Sequence, residues 1–228
     1  MQRRKFEKGY FTGYYTRNVG EFKEGDLDRS INWFYGWISY LDKFVDLKNG
    51  VGRKVLEIGC SIGGASNIFY ERGFEVHASD ISKYAVSKAE KLAKKLKKNI
   101  SFHVFDVEKR IPLMGTFDII IAFEVIEHLK NPEHAIINMK NKLKKNGVLI
   151  CSTPNAQTDL SNDPTHINVK SLNEWKKIFK KNGFTKLSIR QVSFLPFFYK
   201  LSKHLHLIFP IAIKSTFINS PVFIIAKK

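Results

Sequence analysis

The stretch "VLEIGCSIGG" (Val55–Gly64) places a β-branched run, a glutamate and three glycines within ten residues. A strand that runs straight into such a loop and then into a helix presents bare backbone and helix-terminal N–H groups at the carboxyl edge of a sheet. Open α/β sheets bind their ligands there. Gly59, Cys60, Ser61 and Gly63 are the loop positions expected to meet a ligand through the main chain. Asp80 closes the next strand 21 residues after Gly59, the spacing at which a carboxylate accepts hydrogen bonds from ribose hydroxyls. The competing role for Asp80 is to cap a helix that starts at Ser82.

Two side chains bear on the kind of nucleoside. Ser61 stands where a pyrophosphate fingerprint needs its second glycine, so a dinucleotide fits less well than a single nucleoside. Glu57 adds a negative charge that would repel a diphosphate and favour an ammonium or sulfonium group. S-adenosylmethionine meets these conditions: a carboxylate for the N–H groups, a ribose for Asp80 and positive centres for the acids. An NAD-linked oxidoreductase remains an alternative, since it would share the fold and Asp80.

These residues need a sheet to hold them. From Arg53 to Lys181, β-branched runs alternate with helical patterns, the rhythm of strand–helix units around a mainly parallel sheet. Strands are expected at Lys54–Ile58, Phe74–Ser79, Ile100–Phe105, Phe117–Phe123 and Gly147–Thr153. Helices are expected at Gly63–Arg72, Ser82–Lys98, Pro132–Lys145 and Ser171–Asn182, three of them stopped by Gly73, Gly147 and Gly183 in the left-handed conformation. Asp118 is expected to do a structural job at the head of its strand. The segments "FTKLSIRQVSF" and "SPVFIIAKK" should close the sheet as an antiparallel pair. The fold class is therefore α/β and Rossmann-like, seven-stranded, with an antiparallel last strand and helices on both faces. Residues 51–193 form the core, 1–50 an aromatic-rich lid or packing element with a helix over Arg29–Val45, and 194–228 an apolar insert followed by the last strand.

With the motifs in this order, the chain resembles the class I S-adenosylmethionine-dependent methyltransferases, particularly the branch of the ubiquinone-biosynthesis O-methyltransferases and small-molecule or sugar methyltransferases. The matching residues are "VLEIGCSIGG", Asp80 in "ASDIS", Asp106 in "VFDVE", "FDIIIAFEVIEHL" and "LKKNGVLICSTPN". The resemblance implies that Asp106 meets the adenine edge, that Ile81 and Val107 flank the adenine, and that Phe123 and Glu124 line the cofactor channel. It also implies that His128 and His166 lie next to the acceptor. Methyl transfer from a sulfonium needs alignment and exclusion of water, and a neutral hydroxyl acceptor needs its proton removed. Either imidazole is a candidate base. Some relatives use a similar arrangement of two carboxylates and two imidazoles, here Glu124, Glu127, His128 and His166, to hold a divalent metal. Other relatives carry "EVIEHL" without one.

Composition narrows the remaining classes. The 228 residues, 43% hydrophobic, suffice for one sizeable core. The net charge of +17 would attract nucleic acid, and both an RNA 2′-O-methyltransferase and an RNA-binding module stay open on that ground. However, the lysines fill helix faces opposite Ala85, Ala89, Leu92 and Leu96, the pattern of a solvated face rather than a groove. Cys60 and Cys151 lack metal spacing and read as small buried residues of a reducing compartment. With no signal-like or membrane-spanning apolar run, a cytoplasmic location is expected. The segment 195–219 is strongly apolar but broken by Lys200, Lys203, His204, His206 and Pro210. It reads either as a helical cap over the substrate mouth or as a patch for peripheral membrane contact with a lipid-linked acceptor. The acceptor class is a small molecule, a sugar or a lipid-linked compound. Oligomeric state leaves no mark on the sequence.

Overall fold

The computed structural model describes residues 6–11, 24–158, 163–195, 202–215 and 218–228. In chain order its elements are α1 (Lys8–Tyr10), α2 (Glu24–Leu41), β1 (Lys54–Ile58), α3 (Gly64–Glu71), β2 (Glu75–Asp80), α4 (Lys83–Lys95), β3 (Ser101–Val104) and β4 (Phe117–Phe123). A 3₁₀ turn (Ile126–His128) leads to α5 (Pro132–Lys142), β5 (Leu143–Pro154), α6 (Leu172–Lys181), β6 (Lys186–Gln191), β7 (Ser193–Leu195), β8 (Leu207–Phe209) and β9 (Pro221–Lys227).

Seven of the strands make one sheet in the order β3-β2-β1-β4-β5-β9-β6. β1 to β5 are mutually parallel, and β9 runs antiparallel between β5 and β6. This is the expected α/β class with its antiparallel last strand. Strand periodicity divides the core in two. Ile119, Ile121 and Phe123 of β4 pack with α2 and α3 on one face, while Ile120 and Ala122 pack with α5 and α6 on the other. A sheet covered on both sides must be apolar on both sides, which is why β4 reads as a continuous run, "FDIIIAF".

The helix starts have local causes. Ser82 caps α4 by accepting from the Ala85 N–H, and Ser171 and Glu174 form a reciprocal capping box on α6. Asp118 accepts from the Lys54 N–H and from Lys144 Nζ, both at 2.8 Å, and so ties β4 to β1 and β5. Cys60 and Cys151 are free and buried.

Three expectations need correction. The helix placed at Pro132–Lys145 ends at Lys142, and β5 begins at once with the buried Leu143, paired with Phe117 before the register shifts. Asn146, not Gly147, takes the positive φ of 65°. Gly147 is needed for space, because a Cβ there would lie 3.1–3.2 Å from the carbonyl oxygens of Phe117 and Asp118. The helix expected at Arg29–Val45 spans Glu24–Leu41 instead, with Trp37, Ile38 and Leu41 fully buried. Among the described residues of the apolar insert there is no helical cap. β7 and β8 form a two-stranded antiparallel ladder; residues 196–201 and 216–217 of that insert lie outside the described residues. No helix among the described residues is long and apolar enough to cross a membrane.

Candidate active site

A cavity of about 660 Å³ opens at the carboxyl ends of β1, β2 and β4. Its floor is the turn after β1. Gly59 sits at φ 74°, and a Cβ there would lie 2.4 Å from Cγ2 of Val125, so only glycine lets the turn pass beneath that side chain. Ser61 also takes a left-handed conformation, φ 48°, at the position where the motif ordinarily has glycine.

Asp80 is the acid beside this turn. Its Oδ2 accepts from the Ser61 N–H at 3.0 Å and its Oδ1 from the Ser82 N–H at 2.9 Å. It braces the backbone before α4, where Ser82 rather than Asp80 is the cap, and it also lines the cavity. Each oxygen retains acceptor capacity for a ligand hydroxyl. Burial pushes its carboxyl up to about 6 against the downward pull of the backbone hydrogen bonds.

Glu57 is placed differently from the expectation. It is 3% exposed, does not line the cavity, and accepts a hydrogen bond from the Ser66 hydroxyl in α3. Burial pushes its carboxyl up to about 8, so at neutral pH it is a protonated group tying β1 to α3 rather than a charge facing a ligand. Alternation explains the misplacement, since Ile58 of the same strand faces the other way and reaches the wall. Cys60 and Gly63 are also absent from the wall. Burial pushes the Cys60 thiol well up, and the Gly63 carbonyl is taken by the N–H and side-chain amide of Asn67.

Ile81, Asp106, Val107, Phe123 and Glu124 do line the cavity. Asp106 accepts from the Glu108 N–H at 3.0 Å, which fixes its turn. Glu124, at φ 52°, is held by Ser152, whose hydroxyl donates to its Oε1 at 2.7 Å.

His128 also lines the cavity. Its Nδ1 lies 3.1 Å from the carbonyl and 2.9 Å from the hydroxyl of Thr165. The carbonyl can only accept, so Nδ1 carries the proton and Nε2 is the basic nitrogen. His166 is behind it, not on the wall: its ring is 4.8 Å from that of His128, and its Nε2 is 3.7 Å from Asp163 Oδ2. Glu127 is fully buried, and one donor atom each from Glu127, His128 and His166 fall within 4.8 Å of one another. Glu124 does not belong to this group. One carboxylate and two imidazoles suit Mn²⁺, Fe²⁺ or Zn²⁺ better than Mg²⁺.

Part of the wall was not assigned from sequence. Phe6, Tyr10 and Phe11 close one side, and Arg29, Trp33 and Phe34 of α2 another. Phe6 packs edge-on against His128 at 5.6 Å, and Glu7 accepts from the Ser82 hydroxyl and the Tyr84 N–H at the start of α4. The only sequence signal for these residues was the aromatic enrichment before Arg53.

The sheet order, the glycine turn and the acid closing β2 make an α/β domain of the class I methyltransferase type. A family model described as a methyltransferase domain matches residues 31–189, and the chain belongs to that family. It is 38% identical over 116 residues to a ubiquinone biosynthesis O-methyltransferase of Glaesserella parasuis, covering 48% of this chain and 49% of that protein. It is 30% identical over 118 residues to the protein of that description from Coxiella burnetii, covering 52% and 49%. The matches thus span about half the length of these curated relatives. The fold is similar to that of magnesium protoporphyrin IX methyltransferase from Synechocystis PCC 6803 with bound S-adenosylhomocysteine, with a TM-score of 0.63, 18% identity and 97% of each chain covered.

Proposed function

We propose that this protein is an S-adenosylmethionine-dependent O-methyltransferase acting on a small or lipid-linked hydroxyl acceptor. The observation that carries the reading is that Asp80 and His128 line the same cavity. Asp80 accepts from the ribose hydroxyls, and the Gly59–Ser61 turn, whose Cys60 and Ser61 N–H groups are held by the Ser79 carbonyl and Asp80, lays its bare backbone along the methionine end. The acceptor oxygen attacks the methyl carbon in line, the S–CH₃ bond breaks with its electron pair going to sulfur, and S-adenosylhomocysteine leaves. The acceptor proton goes to Nε2 of His128, whose other nitrogen Thr165 holds protonated. The aromatic walls exclude water from the transfer. Oxygen is chosen as the methylated atom because an imidazole, His128, lines the cavity and because the curated relatives are described as O-methyltransferases. The family match favours this chemistry over hydride transfer to a nicotinamide and over RNA binding alone.

The cluster of Glu127, His128 and His166 supports a second reading, a divalent ion held by these three, in which Nε2 of His128 would be a ligand in place of its role as base. Such an ion, when bound, would lower the pKa of an acceptor hydroxyl.

The test is calorimetry with S-adenosylhomocysteine and NADH, followed by radiolabelled methyl transfer into lipid, sugar, RNA and protein fractions of a cell extract. Binding of S-adenosylhomocysteine with label in the lipid or small-molecule fraction is expected. NADH binding in preference, or label in RNA alone, overturns the reading.

A further inference from the structure

The segment from Leu205 to Ile211 inverts the usual pattern of a surface strand. In an antiparallel ladder on a folded domain, alternate residues turn inward and the outer face is polar. Here His206 and Ile208 are the inward residues. Ile208 packs against the core, and His206 lies over Gly36 of α2, with its Cβ and ring 3.2 Å from where a Cβ would be. The partner strand is anchored by Phe194, fully buried and 4.8 Å from Trp33. The outer face is left to Leu205, Leu207, Phe209 and Ile211, all 40–56% exposed. Four large exposed apolar side chains thus recur at two-residue spacing, Leu207 and Phe209 on β8 and Leu205 and Ile211 just beyond its ends, a concentration unlike scattered surface residues.

The charge within this part of the chain is of one sign: Lys203 and Lys214 flank the stripe, and no acidic residue follows Glu174 in the sequence. We propose that this hairpin is a docking surface for an anionic lipid bilayer, with the stripe entering the interface and the lysines meeting the headgroups. A second copy of the chain is disfavoured as occupant because it brings the same cations and another +17 of net charge. The hairpin packs on α2, whose Trp33 and Phe34 line the cavity. A docked molecule would therefore hold that wall toward the bilayer, a point that rests on the function proposed above; the docking itself does not.

The experiment is vesicle flotation with phosphatidylcholine alone and with about 30% phosphatidylglycerol added. The parent protein is expected to float only with the anionic vesicles, and Leu207→Ser/Phe209→Ser/Ile211→Ser to lose about tenfold or more in affinity at the same ionic strength. S-adenosylhomocysteine affinity, measured in parallel, is expected to be unchanged; this reports on the active site independently of docking. As a second readout, the indole introduced by Phe209→Trp should be quenched by lipids brominated on their acyl chains. Flotation of the triple variant equal to the parent, absence of anionic-vesicle binding, or an introduced indole that stays unquenched overturns the proposal. So does light scattering that shows a parent dimer dispersed by the triple variant, which would assign the stripe to a second copy.

Discussion

Asp80 and Ser61 are joined by a hydrogen bond of 3.0 Å from the Ser61 N–H to Oδ2. The acid closing β2 thereby holds the left-handed turn after β1 in the conformation that forms the cavity floor. That carboxylate sets the loop geometry and also lines the cavity.

Asp80→Asn keeps the side chain's size and removes the charge, but its one acceptor oxygen can serve only one of the Ser61 and Ser82 N–H groups. S-adenosylhomocysteine affinity is expected to fall about tenfold or more, as for lost hydrogen bonds to a charged group. Because burial holds the parent carboxyl at about 6, its ionised fraction shrinks as pH drops below that value. Parent affinity should therefore fall about tenfold between pH 7 and pH 5, and that of the variant should stay flat. Calorimetry across this range decides it; parallel curves would remove Asp80 from the ligand.

Glu57 governs stability rather than binding. Its folded carboxyl stands at about 8 against an ordinary value of 4.5, so between these values the folded state holds a proton that the unfolded state has released. Stability must then decrease as pH rises through this window. Asp80 acts with the same sign, but its window closes near 6. Urea midpoints should thus fall between pH 6.5 and 8.5 in the parent and be nearly constant in Glu57→Gln. A midpoint that rises over this range contradicts the buried protonated carboxyl.

His128 and Thr165 are separable. His128→Ala is expected to lower kcat by about 100-fold or more, the usual worth of a general base, while S-adenosylhomocysteine affinity stays within about twofold. Thr165→Val keeps the carbonyl on Nδ1 and removes only the hydroxyl, so its loss should be much smaller. Equal losses in affinity and turnover for His128→Ala would place the imidazole on the cofactor side.

For Glu127, His128 and His166, a chelator added to the purified protein should lower the rate and Mn²⁺ should restore it, with His166→Ala reducing bound metal by elemental analysis. An unchanged rate in chelator leaves His128 to act without an ion.

Gly64 tests the seat of α2. A Cβ there would lie 2.1 Å from Ser30 Oγ and 2.9 Å from the Ser30 carbonyl carbon. Alanine normally favours a helix over glycine by up to about 1 kcal/mol, but here overpacking should dominate and cost about 1–3 kcal/mol. Cofactor affinity should drop too, since α2 carries Arg29, Trp33 and Phe34 of the wall. An increase in stability would show that α2 does not press on the loop.

The strands and the turn were legible because each rests on local chemistry. "FDIIIAF" can only be a strand buried on both faces, and Gly59 and Asp80 carry their spacing in the chain. Charge was legible only as composition. Glu57 was assigned to the ligand because nothing in a sequence shows which way a residue two positions before a glycine turns. Strand alternation and the closeness of α3 turned it inward and took its charge away. His166 follows the same logic: its pairing with His128 was readable, but its position behind that ring depends on how the segment after β5 folds back.

The sequence by itself determined the α/β order, the glycine turn, the acid that closes β2 and the methyltransferase family, because these depend on residues near one another along the chain or on a fixed motif spacing. Only the tertiary structure decided that the strap at Phe6–Phe11 and helix α2 complete the cavity wall, that Asp80 rather than Glu57 carries the charge beside the turn, and that the stripe from Leu205 to Ile211 faces outward. Those outcomes are set by burial and by contacts between segments far apart in the chain. A carboxylate's charge and a leucine's exposure are properties of the surroundings, and the chain acquires its surroundings only by folding.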